Sequence, residues 1–328
     1  MSKLNRRSIL SAAGSLAAAA ALPRTALAQM ARNVRLIVGF PPGGAADVLA
    51  RGLSENLRGA LDAPVIVENR PGAGGRLAAD YVRHSPPDGS TVLVSPASVI
   101  TMAPYLYKNT PYSGLRDFMP ITALARLDIA LYAGPSAPAS VNSIHTMTQW
   151  LHGNAASASC GIPGLGSTPH LAALLIGRQS GLDWQLVPYQ GDSPNFVALL
   201  GGEIGVAVSS LAGGMEYLRA GKLRLLAVTG AQRSAFFPDV PTAAESGLKD
   251  VVVEDRHSVF LPEKTPHDKA EALNKAIRAA MNSPDMTNLL QRLSLERSTN
   301  SLEEFSAILT ADSNRWQRTI KALNISME

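Results

Sequence analysis

Five short loops rich in Gly, Pro and Ser, each set between an apolar run and an amphipathic one, constrain this chain more than any other feature. They are Pro41-Pro42-Gly43-Gly44-Ala45-Ala46-Asp47, Asn69-Arg70-Pro71-Gly72-Ala73-Gly74-Gly75, Ser95-Pro96-Ala97-Ser98, Gly164-Leu165-Gly166-Ser167-Thr168-Pro169-His170 and Gln190-Gly191-Asp192-Ser193-Pro194-Asn195. The apolar runs read as strands and the segments after the loops as helices. Loops at the carboxyl ends of strands in an α/β sheet surround the ligand crevice. Each also opens a helix, where unpaired N–H groups and the helix dipole favour an anion. The pattern predicts a fold built to hold a small anion rather than to do chemistry on one.

The first 28 residues read as a leader. Paired Arg6 and Arg7 precede the apolar run Leu10 to Leu22, and Ala26-Leu27-Ala28 offers small residues for cleavage before Gln29. This is the pattern of an export signal, and the arginine pair predicts the twin-arginine route; an ordinary signal peptide with coincident arginines is the alternative. The run is too short and Ala-rich to serve as a spanning anchor. Lys3, Arg6, Arg7 and Arg24 account for the whole +4 excess, so the remaining chain carries equal numbers of basic and acidic side chains. No global basic field argues for nucleic acid or an anionic membrane. Cys160 is the single cysteine, so no internal disulfide is expected and the fold must rest on its aliphatic core.

Strands are expected at Val34 to Phe40, Pro64 to Glu68 and Thr91 to Val94, with helices between them, of which Leu49, Leu53, Leu57 and Leu61 mark the first. Alternating strands and helices predict a parallel sheet. A Pro-rich connection runs from Pro104 to Pro120, then strands at Ile121 to Leu124 and Ile129 to Ala133. A second α/β set follows, with strands at Gln185 to Tyr189, Glu203 to Val208 and Leu223 to Val228. The last third is helical and expected to pack on the first lobe. The order fits two lobes: residues 29–130 with 231–328, and residues 131–230.

Several stretches, taken in order, resemble the Bug family of periplasmic solute-binding proteins, which includes receptors of tripartite tricarboxylate transporters. They are Pro42-Gly43-Gly44 with Asp47 and Arg51, Val67 to Gly75, Pro87 to Thr91, Asp117 to Ile121, Gly166-Ser167 with His170, Val187-Pro188-Tyr189 with Gly191, Ala220 to Val228, Pro238 to Thr242, Thr265-Pro266, and Glu303-Glu304-Phe305 with Trp316. The resemblance implies an α/β protein of two lobes, a type II-like periplasmic binding fold closing on a small carboxylate. It implies contact mainly through backbone amides and ordered waters, from loops that match the first three here. A partner would then be the permease of such a transporter, or a sensor; an exported enzyme on the same fold is the alternative. No nucleic-acid partner, cofactor or metal is expected, and relatives suggest a monomer.

The candidate ligand residues are Pro42, Gly43, Gly44, Ala45, Asp47, Gly72, Ala73, Gly74, Ser95, Ser98, Gly166, Ser167, Tyr189, Gly191, Ser209 and Arg256. Glycines let a backbone approach an anion closely. Asp47 is either the cap of the first helix or a ligand contact through water. Ser167 reads as a helix cap or an anion-holding hydroxyl; with His170 it lacks the surroundings of a nucleophile. Tyr189 lines the crevice or joins the core, and Ser209 and Ser210 offer hydroxyls or form a plain turn. Arg70 is expected to brace its loop. Arg256 stands where relatives usually carry Trp, and two readings stay open: it meets a second acidic group of the ligand, or it pairs with Glu254 or Asp255. The histidines show no metal-ligand spacing.

Overall fold

In the computed structural model, residues 33–61, 63–154 and 158–328 are described. The expected leader and its cleavage point lie outside them. The first sheet contains β1 (Val34–Val38), β2 (Val65–Asn69), β3 (Thr91–Pro96), β4 (Phe118–Leu127), β10 (Asp255–Pro262) and β11 (Glu296–Arg297), in the order β11-β4-β10-β3-β1-β2. The second contains β5 (Ile129–Ala133), β6 (Ser159–Ile162), β7 (Gln185–Pro188), β8 (Val206–Ser210) and β9 (Arg224–Val228), in the order β7-β6-β8-β5-β9. β1 pairs in parallel with β2 and β3, and β6 with β7 and β8, as the alternation of strands and helices predicts.

The central strands of each sheet are buried on both faces, which is why they read as continuous apolar runs. Leu36 and Val38 enter one cluster with Leu49 and Leu53 of α1 (Ala45–Asn56), while Ile37 enters another with Phe260 and Phe305. In the second lobe Ile129, Leu131 and Ala133 face one cluster, and Ala130 and Tyr132 the other. The two-residue period of a strand sorts its side chains between the two layers.

The chain passes from the first sheet to the second at Asp128 and returns between Val228 and Asp255. Thr229 ties the crossings together: its N–H donates to Ile129 O at 2.9 Å, its hydroxyl to Val253 O at 2.7 Å, and Val253 N–H donates back to Thr229 O at 2.8 Å.

Three elements differ from the sequence reading. β4 begins at Phe118 and runs through Pro120, which the chain tolerates because the β4–β10 register shifts between Val259 and Phe260, opposite Thr122 and Pro120. β8 begins at Val206 and extends to Ser210, so Ser209 lies inside a strand. The C-terminal helix, Leu302–Leu323, does not stay on the first lobe. At about 1.5 Å per residue it outreaches one lobe: Phe305 and Leu309 pack under the first sheet, whereas Trp316 and Ile320 join the cluster of Leu131, Val208 and Leu171. The tail continues the bridge, with Met327 N–H donating to Leu106 O at 2.8 Å.

Trp316 is buried where this helix meets the second lobe. Trp316→Ala is expected to cost about 3–5 kcal/mol, read as a lower urea midpoint.

Candidate ligand-binding site

The loop after β1 turns on Gly43, whose φ of +87° favours glycine, and α1 starts with Gly44 as its cap. Asp47 is therefore not the cap; it is the third helical residue, 2% exposed. Its carboxylate accepts the Gly43 N–H at 2.9 Å, Arg51 Nε at 2.9 Å and Asn69 Nδ2 at 2.8 Å. Burial opposes its ionisation, but the bonds from Arg51, Gly43 and Asn69 outweigh it and hold the carboxyl pKa at about 2. Asn69 also donates to Phe40 O and accepts from Arg51 Nη2, so the loops after β1 and β2 are fastened by one node.

The loop after β2 makes a single 3-10 turn, Ala73–Gly75, in which Gly72, Ala73, Gly74 and Gly75 all have positive φ. That run of left-handed backbone explains three glycines in four positions. A side chain at Gly75 would touch Phe40 and Val99 at 3.3 Å, and one at Gly39 would lie 2.7 Å from the Gly75 Cα. The first three loops thus converge, and Pro42, Gly43, Gly44, Ala73 and Gly74 are exposed there, with Ala45 and Gly72 half-buried. Arg70 braces the second loop, bonded to Glu68 and stacked 3.6 Å over the Tyr81 ring.

After β3, Ser95 is fully buried and its hydroxyl has no partner among the described residues. Ser98 opens α3 (Ser98–Thr101), and its N–H donates at 3.1 Å to Asp255 Oδ1. Thr168 of the second lobe donates its hydroxyl at 2.8 Å to Asp255 Oδ2. Asp255, 3% exposed, joins a loop of one lobe to a loop of the other.

In the second lobe Ser167 caps α6 (Thr168–Ser180), accepting the His170 N–H at 3.2 Å and donating to Gly164 O at 2.7 Å. His170 Nδ1 accepts the Gly166 N–H at 3.1 Å, and burial pushes the imidazole pKa down, so it stays neutral. A side chain at Gly166 would fall 2.2 Å from the Tyr107 hydroxyl of the first lobe. Gly191 caps α7 (Asp192–Gly201).

Two expected contacts, Ser209 and Arg256, are held elsewhere. Ser209, 0% exposed, donates to Asp192 at 2.5 Å and accepts from Asn195, because it lies in β8 rather than in a loop. Ser210 caps α8 (Leu211–Arg219). Tyr189 is half-buried and packs on the second lobe's cluster of Phe196 and Val187. Arg256 is not a free cation: Nη2 donates to Glu254 at 2.8 Å and Nη1 to Asp312 at 3.0 Å, and Arg315 holds Asp312 at 2.8 Å. Its cross-strand neighbour Arg126 is likewise paired, with Asp128 at 2.7 Å and Glu296 at 3.0 Å.

Sequence reasoning did not place Asp255, Tyr107 or Arg76 beside the converging loops. Asp255 had appeared only as a possible ion-pair partner, and no local signal marks the other two. Two surface grooves of about 450 and 430 Å³ lie on the outside of the first lobe, one lined by Glu271, Lys275, Arg278 and Glu303, the other by Arg51, Glu55, Asp285 and Arg292. Neither includes a residue of the five loops, so loop convergence rather than groove size marks the site.

The family model described as "Tripartite tricarboxylate transporter family receptor" matches residues 49–325. Protein BugT of Bordetella pertussis is 33% identical over 264 residues, covering 80% of each chain. Among solved structures, Rpa4515 of R. palustris with adipate superposes with a TM-score of 0.79 at 28% identity, covering 91% of this chain and 99% of that one. Periplasmic binding protein BugD gives 0.76 at 28%, covering 90% and 99%. MatC of Rhodopseudomonas palustris with bound malate gives 0.74 at 27%, covering 88% and 98%.

Asp255→Asn removes the charge shared by Ser98 and Thr168. It is expected to lower stability by about 1–3 kcal/mol and to enlarge the ligand-free particle in small-angle X-ray scattering. His257, 5% exposed on the same strand, has no partner for either ring nitrogen among the described residues, and burial pushes its pKa to about 4. Unfolding frees it to bind a proton below its usual value of 6.5. Stability should therefore fall as pH drops from about 6.5 to 4, by up to ~1.4 kcal/mol per pH unit. His170 acts in the same direction. His257→Phe should flatten the pH dependence of the urea midpoint in that window.

Proposed function

The chain belongs to the tripartite tricarboxylate transporter receptor family, and from that premise we propose that it captures a small carboxylate in the periplasm between its two lobes. It carries no reaction; it hands the acid to the membrane permease of a tripartite transporter. Residues 1–28 direct export and are removed near Ala28, and the mature chain acts as a monomer. Lobe 1 is built on residues 29–130 and 231–328 and lobe 2 on residues 131–230, with the end of the C-terminal helix packing on lobe 2.

The observation that carries this reading is the node of Asp47, Asn69 and Arg51. It ties Asp47 to Arg51 and Asn69 while Glu68 holds Arg70, leaving exposed backbone at Pro42 to Gly44 and at Ala73 and Gly74. A carboxylate set against that backbone gains charge-assisted hydrogen bonds from N–H groups already held in place. Preorganisation spares the ordering cost of binding. The second lobe then closes on the anion, bringing the N-termini of α6 and α7 toward it. Adipate in Rpa4515 and malate in MatC support the choice of a carboxylate.

A thermal-shift panel of mono-, di- and tricarboxylates, each beside its neutral amide, tests the reading. An acid at about 100 times its Kd should add ~2.7 kcal/mol of stability, and its amide far less. Silence toward every acid, repeated after unfolding and refolding to release any retained ligand, would sink it. Asp47→Ala frees the Gly43 N–H and unfastens Asn69. It is expected to weaken the best acid at least about tenfold, the worth of one charge-assisted bond, by isothermal titration calorimetry.

A further inference from the structure

Among the described residues, the guanidinium groups nearest the convergence of the loops and the crossing between lobes are matched by carboxylates, but for one. Arg51 holds Asp47, Arg70 and Arg35 share Glu68, Arg126 holds Asp128 and Glu296, and Arg256 holds Glu254 and Asp312. Arg76 is the exception. It is the first residue of α2 (Arg76–Arg83), directly after the loop Gly72 to Gly75, and it is half-buried. Among the described residues no carboxylate stands within ion-pair distance of it. Its guanidinium lies 3.5 Å from the centroid of the Tyr107 ring.

Two glycines locate this group. Arg76 Nη1 lies 3.8 Å from the position a side chain on Gly74 would occupy, at the first lobe's exposed backbone. The hydroxyl of Tyr107, the ring beneath the guanidinium, lies 2.2 Å from the corresponding position on Gly166 in the second lobe. The cation thus stands beside the candidate cradle and next to the loop that meets it from the opposite lobe. Stacking uses the face of a guanidinium and leaves the N–H groups along its edge, the geometry that takes a carboxylate through two parallel bonds. The ring also fixes the group in advance, so less side-chain freedom is lost on binding.

We propose that Arg76 is a specificity-determining residue that binds the second carboxylate of a dicarboxylate whose first carboxylate rests on the backbone of the Gly72–Gly75 loop. The inference rests on the carboxylate reading above and adds the substrate class. It assigns to Arg76 the task that the sequence had offered to Arg256. A half-buried cation without a counterion is a standing cost in the empty protein, and a dianionic ligand removes it.

The test is calorimetric titration of the wild-type chain with paired probes: adipate against hexanoate, and malate against 2-hydroxybutyrate, with succinate, glutarate and pimelate completing the diacid series. Wild type should bind at least one diacid about ten- to a hundredfold more tightly than its monoacid, the worth of hydrogen bonds to a charged group. In Arg76→Gln that ratio should collapse toward one. Arg76→Lys keeps the charge but not the fork, and its ratio should fall between the two. A purely structural Arg76, buttressing Tyr107, would lower diacid and monoacid affinity by the same factor and leave the ratio intact, which overturns the inference. So does a wild type that binds monoacids as tightly as diacids, or that binds no diacid. In those cases the monoacid and tricarboxylate arms of the thermal-shift panel still decide whether the carboxylate reading stands. Should Arg76→Gln fail to fold, the Arg76→Lys ratio alone is decisive, since an unchanged ratio there overturns the bidentate contact.

Discussion

A single buried carboxylate ties the two lobes together. Asp255 begins β10, the strand that returns the chain to the first sheet, and its two oxygens reach a loop in each lobe: the Ser98 N–H and the Thr168 hydroxyl. Oxygen Oδ1 also accepts the Arg256 N–H at 2.8 Å. A buried carboxylate left short of donors would be costly, so these bonds are obligatory wherever the group is enclosed. The crossing at Asp128, the Thr229 bonds and the C-terminal helix add further contacts between the two sheets.

The same rule orders the remaining charges. Arg126, Arg256 and Arg315 interleave with Asp128, Glu254, Glu296 and Asp312 along the crossing strands and the last helix. Burial pushes the Asp128 and Asp312 pKa values up, and the neighbouring guanidinium groups pull them back. Neutralising one member would leave its partners buried and unmatched. The cluster therefore reads as the fastening of the joint. The Arg256 guanidinium is accordingly engaged by Glu254 and Asp312 rather than standing as a free cation.

What the sequence made legible was local. Turn chemistry named the loops, the leucine spacing of 49, 53 and 57 named the first helix, and alternating strands and helices named the two-lobed α/β class. What it concealed were pairings across long separations. Whether Asp47 caps its helix or fastens Asn69, 22 residues away, depends on where β2 lies. Ser209 looked like a loop hydroxyl because the end of β8 carries no breaker, and only the sheet shows it buried against Asp192. Arg256 meets Asp312 over 56 residues, a partner that neighbouring sequence could not suggest. The bridging role of the last helix was hidden similarly, since its apolar stripe does not reveal that Phe305 and Trp316 serve different cores.

Charge accounting across the cleft turns these observations into a rule about recognition. Where a side-chain cation sits beside the cradle and is already matched, the ligand gains from backbone dipoles, which accept one carboxylate with little discrimination among the groups behind it. An unmatched cation discriminates, because a ligand lacking a second anion leaves it as unsatisfied as before. Arg51 and Arg70 stabilise the loops and are silent about ligand identity, whereas Arg76, stacked on Tyr107 between Gly74 and Gly166, is placed to read it. In the proposed scheme the scaffold divides its work: glycines and helix starts cradle a carboxylate, and the Arg76 guanidinium selects among the acids that carry one.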